Sequence, residues 1–223
     1  MPKGYCPVSL AMNRLEEIYD KLLARYGQLD WWPADTPYEV MAGAVLTQNT
    51  SWTNVEKAIK NFGENLTAEY VEAVTLEELC EIIRPCGFFS RKAGYLKSLT
   101  SWYKRYDYSV SKVKERTLEE IRRELLAIKG VGAETADSIL LYAFSYPSFV
   151  VDAYTKRLLH RLNIDVDLDY DVIKAYFENA LPPDAGLYNN YHALIVINAK
   201  EHCKKTPICE GCPLCGVCKG QNI

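Results

Sequence analysis

Five cysteines lie close together near the end of the chain, at spacings that suit a metal centre. The chain has eight cysteines, and the other three are scattered. Because residues 1–10 contain no secretory apolar region, we expect a cytoplasmic protein, in which metal binding is favoured over disulfides. Thiolates at these separations can hold one zinc ion or one iron–sulfur cluster, and spacing alone leaves both open. The clustered residues are Cys203, Cys209, Cys212, Cys215 and Cys218.

Gly130-Val131-Gly132 is a second motif with chemical potential, because it interrupts a helical pattern. The two glycines permit a tight turn with positive φ, and a helix that restarts after it presents unpaired N–H groups. Such a turn can hold a phosphate, although the same residues would also form a plain turn between packed helices. Beyond Pro147 an apolar run leads to Asp152, which precedes a basic helix. A carboxylate at that place is an N-cap, a reactive group, or both.

The elements that must position these residues all have helical patterns. Apolar residues recur at helical spacing from Val8 to Tyr26, and similar patterns follow along the chain. Thr117 and Glu120 form a predicted capping box for the helix that enters the glycine turn. Ser90 is the predicted N-cap of an earlier helix. Because no period-two alternation persists, the sequence predicts an all-α protein.

Composition limits the partners. A chain of 223 residues can bury one large or two modest cores. Its formal net charge is −3, so a nucleic-acid partner would need a local basic face. The sequence contains no run of about 18 apolar residues, so we expect no membrane partner.

Three aromatic or polar sites stand outside the helical patterns. Trp31 and Trp32 are adjacent, so they cannot both face one helix stripe. At least one should line a cleft or interface, unless both pin their loop to the core. Gln48 lies in a polar junction, where it is also placed to cap the next helix. Phe88 follows Gly87 in a turn.

The hairpin, the sequence V-V-D-A-Y around Asp152 and the cationic helix after it resemble the helix-hairpin-helix DNA glycosylase superfamily, in particular its endonuclease III group. The resemblance extends over nearly the whole chain. It implies two helical domains: a six-helix barrel domain with the hairpin at 37–147, and a second domain formed by 1–36 and 148–223. It also implies a monomer that binds double-stranded DNA containing a damaged base.

The resemblance implies a cofactor for the cysteine segment. The family ends in C-x6-C-x2-C-x5-C around a [4Fe–4S] cluster, which holds a loop in shape and does no chemistry on the base. In this chain the first gap is one residue shorter, and Cys215 is an additional candidate ligand. The implied cluster lies at 203–218, with Cys203, Cys209, Cys212 and Cys218 as ligands.

The resemblance also implies roles in DNA binding and catalysis. A base must leave the helical stack before an enzyme can act on it. Gln48 matches the family residue that fills the gap left by the flipped nucleotide, and Phe88 matches an apolar wedge. Lys129 and the 130–132 turn would contact a backbone phosphate. Asp152 would lie beside the sugar, stabilise positive charge at C1′ and activate water.

One departure from the family pattern predicts the type of reaction. Bifunctional members carry a lysine two residues after the second glycine, and this chain has Glu134 there. A carboxylate cannot form a Schiff base, and Lys129 occupies a different part of the turn. We therefore expect a monofunctional glycosylase with water as nucleophile and with AP lyase activity absent or weak.

The preferred base follows from a branch of the same family. Trp31, Trp32 and Trp52 match the base-pocket aromatics of the bacterial 3-methyladenine DNA glycosylases, and Glu134 adds to that likeness. Electron-rich rings attract cationic alkylated purines, so we expect excision of bases such as 3-methyladenine. Lys200 is a candidate match for a lysine of that pocket.

Two alternatives stay open. One is a mismatch or oxidised-base glycosylase of the endonuclease III type. The other is a non-catalytic DNA-binding iron–sulfur protein, which would have no need of Asp152.

Overall fold

The computed structural model describes residues 8–29 and 31–218. Within them the regular structure is entirely helical, which confirms the predicted all-α class. No helix in these ranges is both long and apolar enough to span a membrane. The helices are α1 (Val8–Tyr26), α2 (Pro37–Leu46), α3 (Trp52–Phe62), α4 (Ala68–Ala73), α5 (Leu76–Ile82), α6 (Phe89–Lys104), α7 (Val110–Val113), α8 (Leu118–Leu126), α9 (Ala133–Ser138), α10 (Ala153–Arg161), α11 (Tyr170–Ala180) and α12 (Ala185–Glu201).

The chain divides into two compact units. The discontinuous unit consists of residues up to Trp31 and from Pro147 onward, and the continuous unit runs from Trp32 to Tyr146. Each unit has its own packed interior, described separately below. The sequence predicts two domains, 37–147 and 1–36 with 148–223. That these domains fold independently stays a prediction.

Local capping determines where several helices begin. Thr117 and Glu120 form the expected capping box at the start of α8, which confirms that prediction. Such a cap contributes about 1 kcal/mol to stability. The prediction that Ser90 caps α6 is wrong, since α6 begins at Phe89 without a side-chain cap. Because Lys92 N–H already bonds to the Phe88 carbonyl, Ser90 lies inside the first turn.

The core of the continuous unit surrounds α2. This short helix is buried along almost its whole length, and it packs against α6, α9 and the π-helical turn at 139–143. Its mostly small, apolar residues allow neighbouring elements to approach from several sides. The polar junction that follows α2, which contains Gln48, therefore starts from a fixed position at the edge of the core.

The core of the discontinuous unit is aromatic. Phe149 stacks on Phe177 with ring centroids 4.0 Å apart, and the fully buried Tyr191 donates a hydrogen bond to the Leu15 carbonyl at 2.8 Å. Helix α12 packs against α1 and α10. This packing places the first turn of α10 against a buried face of α12.

Candidate functional site

The 130–132 turn joins α8 to α9, and its two glycines differ. Gly130 has φ +89°, and a Cβ there would lie 2.2 Å from the Tyr95 ring. Gly132 has an extended backbone (φ −90°, ψ 178°), and a Cβ there would meet no described atom within 4 Å. Positive φ therefore occurs at Gly130 and not at Gly132, which serves as the N-cap of α9. Of these two positions, only 130 requires glycine.

Hydrogen bonds from polar side chains hold the 130–132 turn and α9 in place. Gln48 Nε2 donates to the Gly130 carbonyl at 2.9 Å and to Thr135 Oγ1 at 3.0 Å. Arg122 donates to both carboxylate oxygens of the fully buried Asp137, at 2.9 and 3.1 Å. The structure thus brings Gln48 to the hairpin, more than 80 residues away in sequence.

Phe88 projects from a second loop of the same unit. Its side chain is 64% exposed, and its backbone is left-handed with φ +46°. The buried Lys92 links this loop to the Gln48 loop, because its Nζ donates to the carbonyls of Leu46 (2.9 Å) and Cys86 (2.8 Å). Burial lowers the pKa of Lys92. The two predicted inserting residues are therefore held in one framework.

Two of the three predicted pocket tryptophans come together. Trp32 contacts Trp52 edge to face with ring centroids 5.7 Å apart, and it lies 4.8 Å from the ring of Tyr142. Both indoles rest on Gly43, where a Cβ would approach each of them to about 3.5 Å. Trp32 Nε1 is buried and has no hydrogen-bond partner among the described residues. Sequence reasoning missed Tyr142, whose position depends on the π-helical turn at 139–143.

The third tryptophan has a different environment. Trp31 belongs to the discontinuous unit, where Lys200 Nζ lies 5.0 Å from the centre of its ring. That distance is typical of a cation–π contact. A cation of the protein therefore already faces Trp31.

Asp152 begins α10 and is confirmed as its N-cap. Its Oδ1 accepts from the Thr155 backbone N–H at 2.7 Å and from Thr155 Oγ1 at 2.9 Å. Its Oδ2 lies 3.5 Å from Nε2 of His192 on α12. Burial alone raises the pKa of Asp152, but the nearby His192 imidazole and the hydrogen bonds from Thr155 hold it below its usual value. Sequence reasoning missed His192, and no local pattern marks it.

The predicted ligand cysteines surround one small cavity. Cys203, Cys209, Cys212, Cys215 and Cys218 all line a space of about 40 Å³. Burial raises the pKa of Cys212, and the neighbouring thiols of Cys218, Cys203 and Cys209 raise it further. The buried Arg161 donates to Cys203 Sγ at 3.0 Å. Soft thiolate donors around one space fit an iron–sulfur cluster.

Within residues 8–29 and 31–218, no group of three or more His, Cys, Asp or Glu side chains is placed so that it could hold a metal ion.

Residues 42–183 match the model of the HhH-GPD superfamily of base excision DNA repair proteins. A provisionally assigned DNA repair glycosylase of Methanocaldococcus jannaschii is 48% identical over 91% of this chain and 94% of its own length.

Two solved structures have the same fold. The Helicobacter pylori 3-methyladenine DNA glycosylase bound to 1,N6-ethenoadenine is 28% identical with a TM-score of 0.70, over 86% of this chain and 97% of that one. An endonuclease III trapped as a covalent intermediate with DNA has a TM-score of 0.76 at 24% identity, over 94% and 96%. The chain belongs to the HhH-GPD superfamily and is a DNA repair glycosylase that binds DNA.

Proposed function

We propose that this glycosylase is monofunctional and releases alkylated purines such as 3-methyladenine, with water as the nucleophile. The environment of Asp152 is the observation that carries the proposal. Its carboxylate is buried, yet its hydrogen bonds keep its pKa low. An ionised carboxylate in a place shielded from water stabilises a developing oxocarbenium charge at C1′ strongly, and it can accept a proton from attacking water.

The side chain at the start of α9 supports hydrolysis rather than strand cleavage. A bifunctional enzyme needs an amine there, and this chain presents the exposed carboxylate of Glu134. Lys92 is the lysine whose pKa burial lowers, but its Nζ donates to two backbone carbonyls. The lysine is thus held as a structural donor.

The aromatic group of the continuous unit supports a cationic purine. Stacking of a base on an aromatic ring contributes about 1–3 kcal/mol, and a positive charge over the ring adds about 0.5–2 kcal/mol. Trp32 and Trp52 are the proposed stacking partners of the base. Trp31 is less suited to this role, because it already faces the ammonium of Lys200. The name of the H. pylori relative, a 3-methyladenine DNA glycosylase, agrees with this choice.

The hairpin and the two loops would bind and open the DNA. Backbone N–H groups at the 130–132 turn would hold a phosphate, with Lys129 beside it. Gln48 and Phe88 would enter the stack once the nucleotide has turned out, which costs a few kcal/mol. For Gln48 this requires giving up its bonds to Gly130 and Thr135.

We also propose a [4Fe–4S] cluster held by Cys203, Cys209, Cys212 and Cys218. A four-iron cluster takes one thiolate per iron, so its ligands lie farther apart than the ligands of one ion. When bound, the cluster would hold the C-terminal segment in shape. Arg161 would then donate to a ligand sulfur.

A cofactor analysis tests the cluster. We expect a brown protein with about four iron atoms per chain. The change Cys212→Ser should lower iron content and thermal stability together, because ligand loss removes metal-derived folding free energy. Zinc in place of iron, or a fully stable and active Cys212→Ser variant, would contradict this part of the proposal.

A lesion panel tests the choice of base. Duplexes carrying 3-methyladenine, 1,N6-ethenoadenine, uracil, thymine opposite guanine or 8-oxoguanine are incubated with wild-type protein, and the released base is measured. We expect 3-methyladenine to leave fastest, by about one to two orders of magnitude. Faster release of thymine, uracil or 8-oxoguanine would establish the mismatch or oxidised-base alternative, and no release of any base would favour a DNA-binding protein without catalysis.

A further inference from the structure

A groove on the continuous unit runs between the Phe88 loop and the residue before the hairpin. It consists of two adjoining cavities, of about 180 and 520 Å³, that share Arg91 and Tyr95. We call it the Arg91 groove. Among the described residues that line it there is no carboxylate. The first cavity adds Gln48, Asn49, Phe88 and Lys92, and the second adds Ser90, Gly94, Ser98 and Lys129.

The cations at its surface are available to a ligand. Arg91 and Lys129 are exposed, and neither forms an ion pair or side-chain hydrogen bond within the described part of the chain. Elsewhere in the same unit Arg84, Arg105, Arg116 and Arg122 each pair with a carboxylate. In a chain of net charge −3, this pairing leaves the Arg91 groove as a local positive surface.

The remaining lining suits a phosphate backbone. A guanidinium binds two phosphate oxygens at once, and an ammonium adds a point charge. Ser90 and Ser98 add hydroxyl groups at the exposed surface of α6. A Cβ at Gly94 would meet no described atom within 4 Å, so the α6 backbone is open to close approach.

The groove is also continuous with the hairpin. The ring of Tyr95, which lines both cavities, lies directly under Gly130. Lys129 belongs both to the groove and to the start of the turn. A strand whose phosphate is held at the turn therefore meets Lys129 and then Arg91.

We propose that the Arg91 groove is a second backbone-binding site for DNA, which holds phosphates next to the one at the 130–132 turn. The inference rests on DNA binding and on the proposed phosphate contact of the turn, and it is independent of which base is released. It explains how an acidic chain binds a polyanion.

A charge-only change at Gly94 tests the groove. Gly94→Glu places a carboxylate among the phosphates, whereas Gly94→Gln adds the same bulk without charge. A Cβ at Gly94 has open space, and both residues favour helix over glycine, so both variants should fold. We expect Gly94→Glu to bind an undamaged duplex about tenfold more weakly than Gly94→Gln at ~50 mM salt, because only the charge differs between them. Equal binding by the two variants would overturn the proposal.

The salt dependence of binding provides an independent readout. Arg91→Ala should reduce the slope of log Kd against log salt by about 0.9, the value for one lost phosphate contact. Arg123→Ala removes an exposed arginine of α8 outside the groove and should leave the slope unchanged. An unchanged slope in Arg91→Ala, or the same loss in both variants, would contradict the groove.

Because these assays use undamaged DNA, they separate the groove from the enzyme chemistry. Weaker binding in the groove variants, with no base release by wild type, would refute the proposed function alone. Base release by wild type, with unaltered binding in the groove variants, would refute the groove alone.

Discussion

Each unit contains a buried aspartate at a helix, and the two are held differently. In the continuous unit Asp137 is fully buried and receives both hydrogen bonds of the Arg122 guanidinium. In the discontinuous unit Asp152 receives hydrogen bonds from Thr155 and lies near the imidazole of His192. One carboxylate is bonded to a guanidinium, which is always charged, whereas the other accepts hydrogen bonds from Thr155 and lies near an imidazole.

We propose that this difference separates a structural carboxylate, Asp137, from a reactive one, Asp152. The Arg122 guanidinium cancels most of the electric field of the Asp137 carboxylate. This ion pair therefore holds α9 against α8. The pKa of Asp152 is lowered although no arginine or lysine pairs with it among the described residues, so we propose that its field remains for a charge that develops on a substrate. The two glycines of the turn show a similar contrast. Packing against Tyr95 requires glycine at 130, whereas a Cβ at 132 would meet no described atom.

The largest expected effect is the loss of catalysis in Asp152→Asn. Asparagine can still cap α10, so the unfolding temperature should change little. Removal of the charge should slow base release by about a thousandfold or more, as measured in single turnover. DNA affinity should be retained. Turnover close to wild type would remove Asp152 from its proposed role.

Asp137→Asn should give the opposite result. It leaves the Arg122 guanidinium without its counter-ion, so the free energy of unfolding in urea should fall by about 3–5 kcal/mol. A double variant, Arg122→Leu with Asp137→Leu, should recover a large part of that loss, because neither charge remains buried. If Asp137→Asn is stable but inactive, the distinction between the two aspartates is wrong.

The glycine pair gives a smaller contrast. Gly130→Ala should cost about 1–3 kcal/mol of stability, because it combines positive φ with a collision against Tyr95. Gly132→Ala should leave stability within about 0.5 kcal/mol of wild type and should weaken DNA binding. The measurements are urea unfolding and binding to an undamaged duplex. Equal stability losses at the two positions would contradict their separate roles.

The smallest expected effect is a shift in pH dependence. The folded pKa of Asp152 is lowered, so its stabilising contribution is present above the unfolded pKa and is lost as pH falls through the folded value. His192→Leu removes one lowering interaction and leaves burial, so the acid limb of base release should move to higher pH. His192→Gln keeps a neutral donor at the place of Nε2 and should restore part of the wild-type profile. Identical profiles for all three proteins would exclude this role for His192.

Features encoded locally were predictable from the sequence. The Thr117–Glu120 capping box and the Asp152 N-cap each depend on residues three positions apart. The extended backbone at Gly132 was not predictable, because glycine permits both signs of φ. His192 approaches Asp152 only through the packing of α10 on α12, and the Arg91 groove exists only because α6 lies beneath the hairpin. Such contacts between distant segments leave no local pattern.

The most direct test of the central claim is a borohydride-trapping assay with wild-type protein and a duplex containing 3-methyladenine. Base release, strand nicking and covalent protein–DNA adduct are measured in the same time course. If water attacks C1′ under the influence of Asp152, we expect free base, an intact strand with an abasic site, and no adduct. A trapped adduct that forms together with base release would show an amine nucleophile and would contradict the monofunctional mechanism.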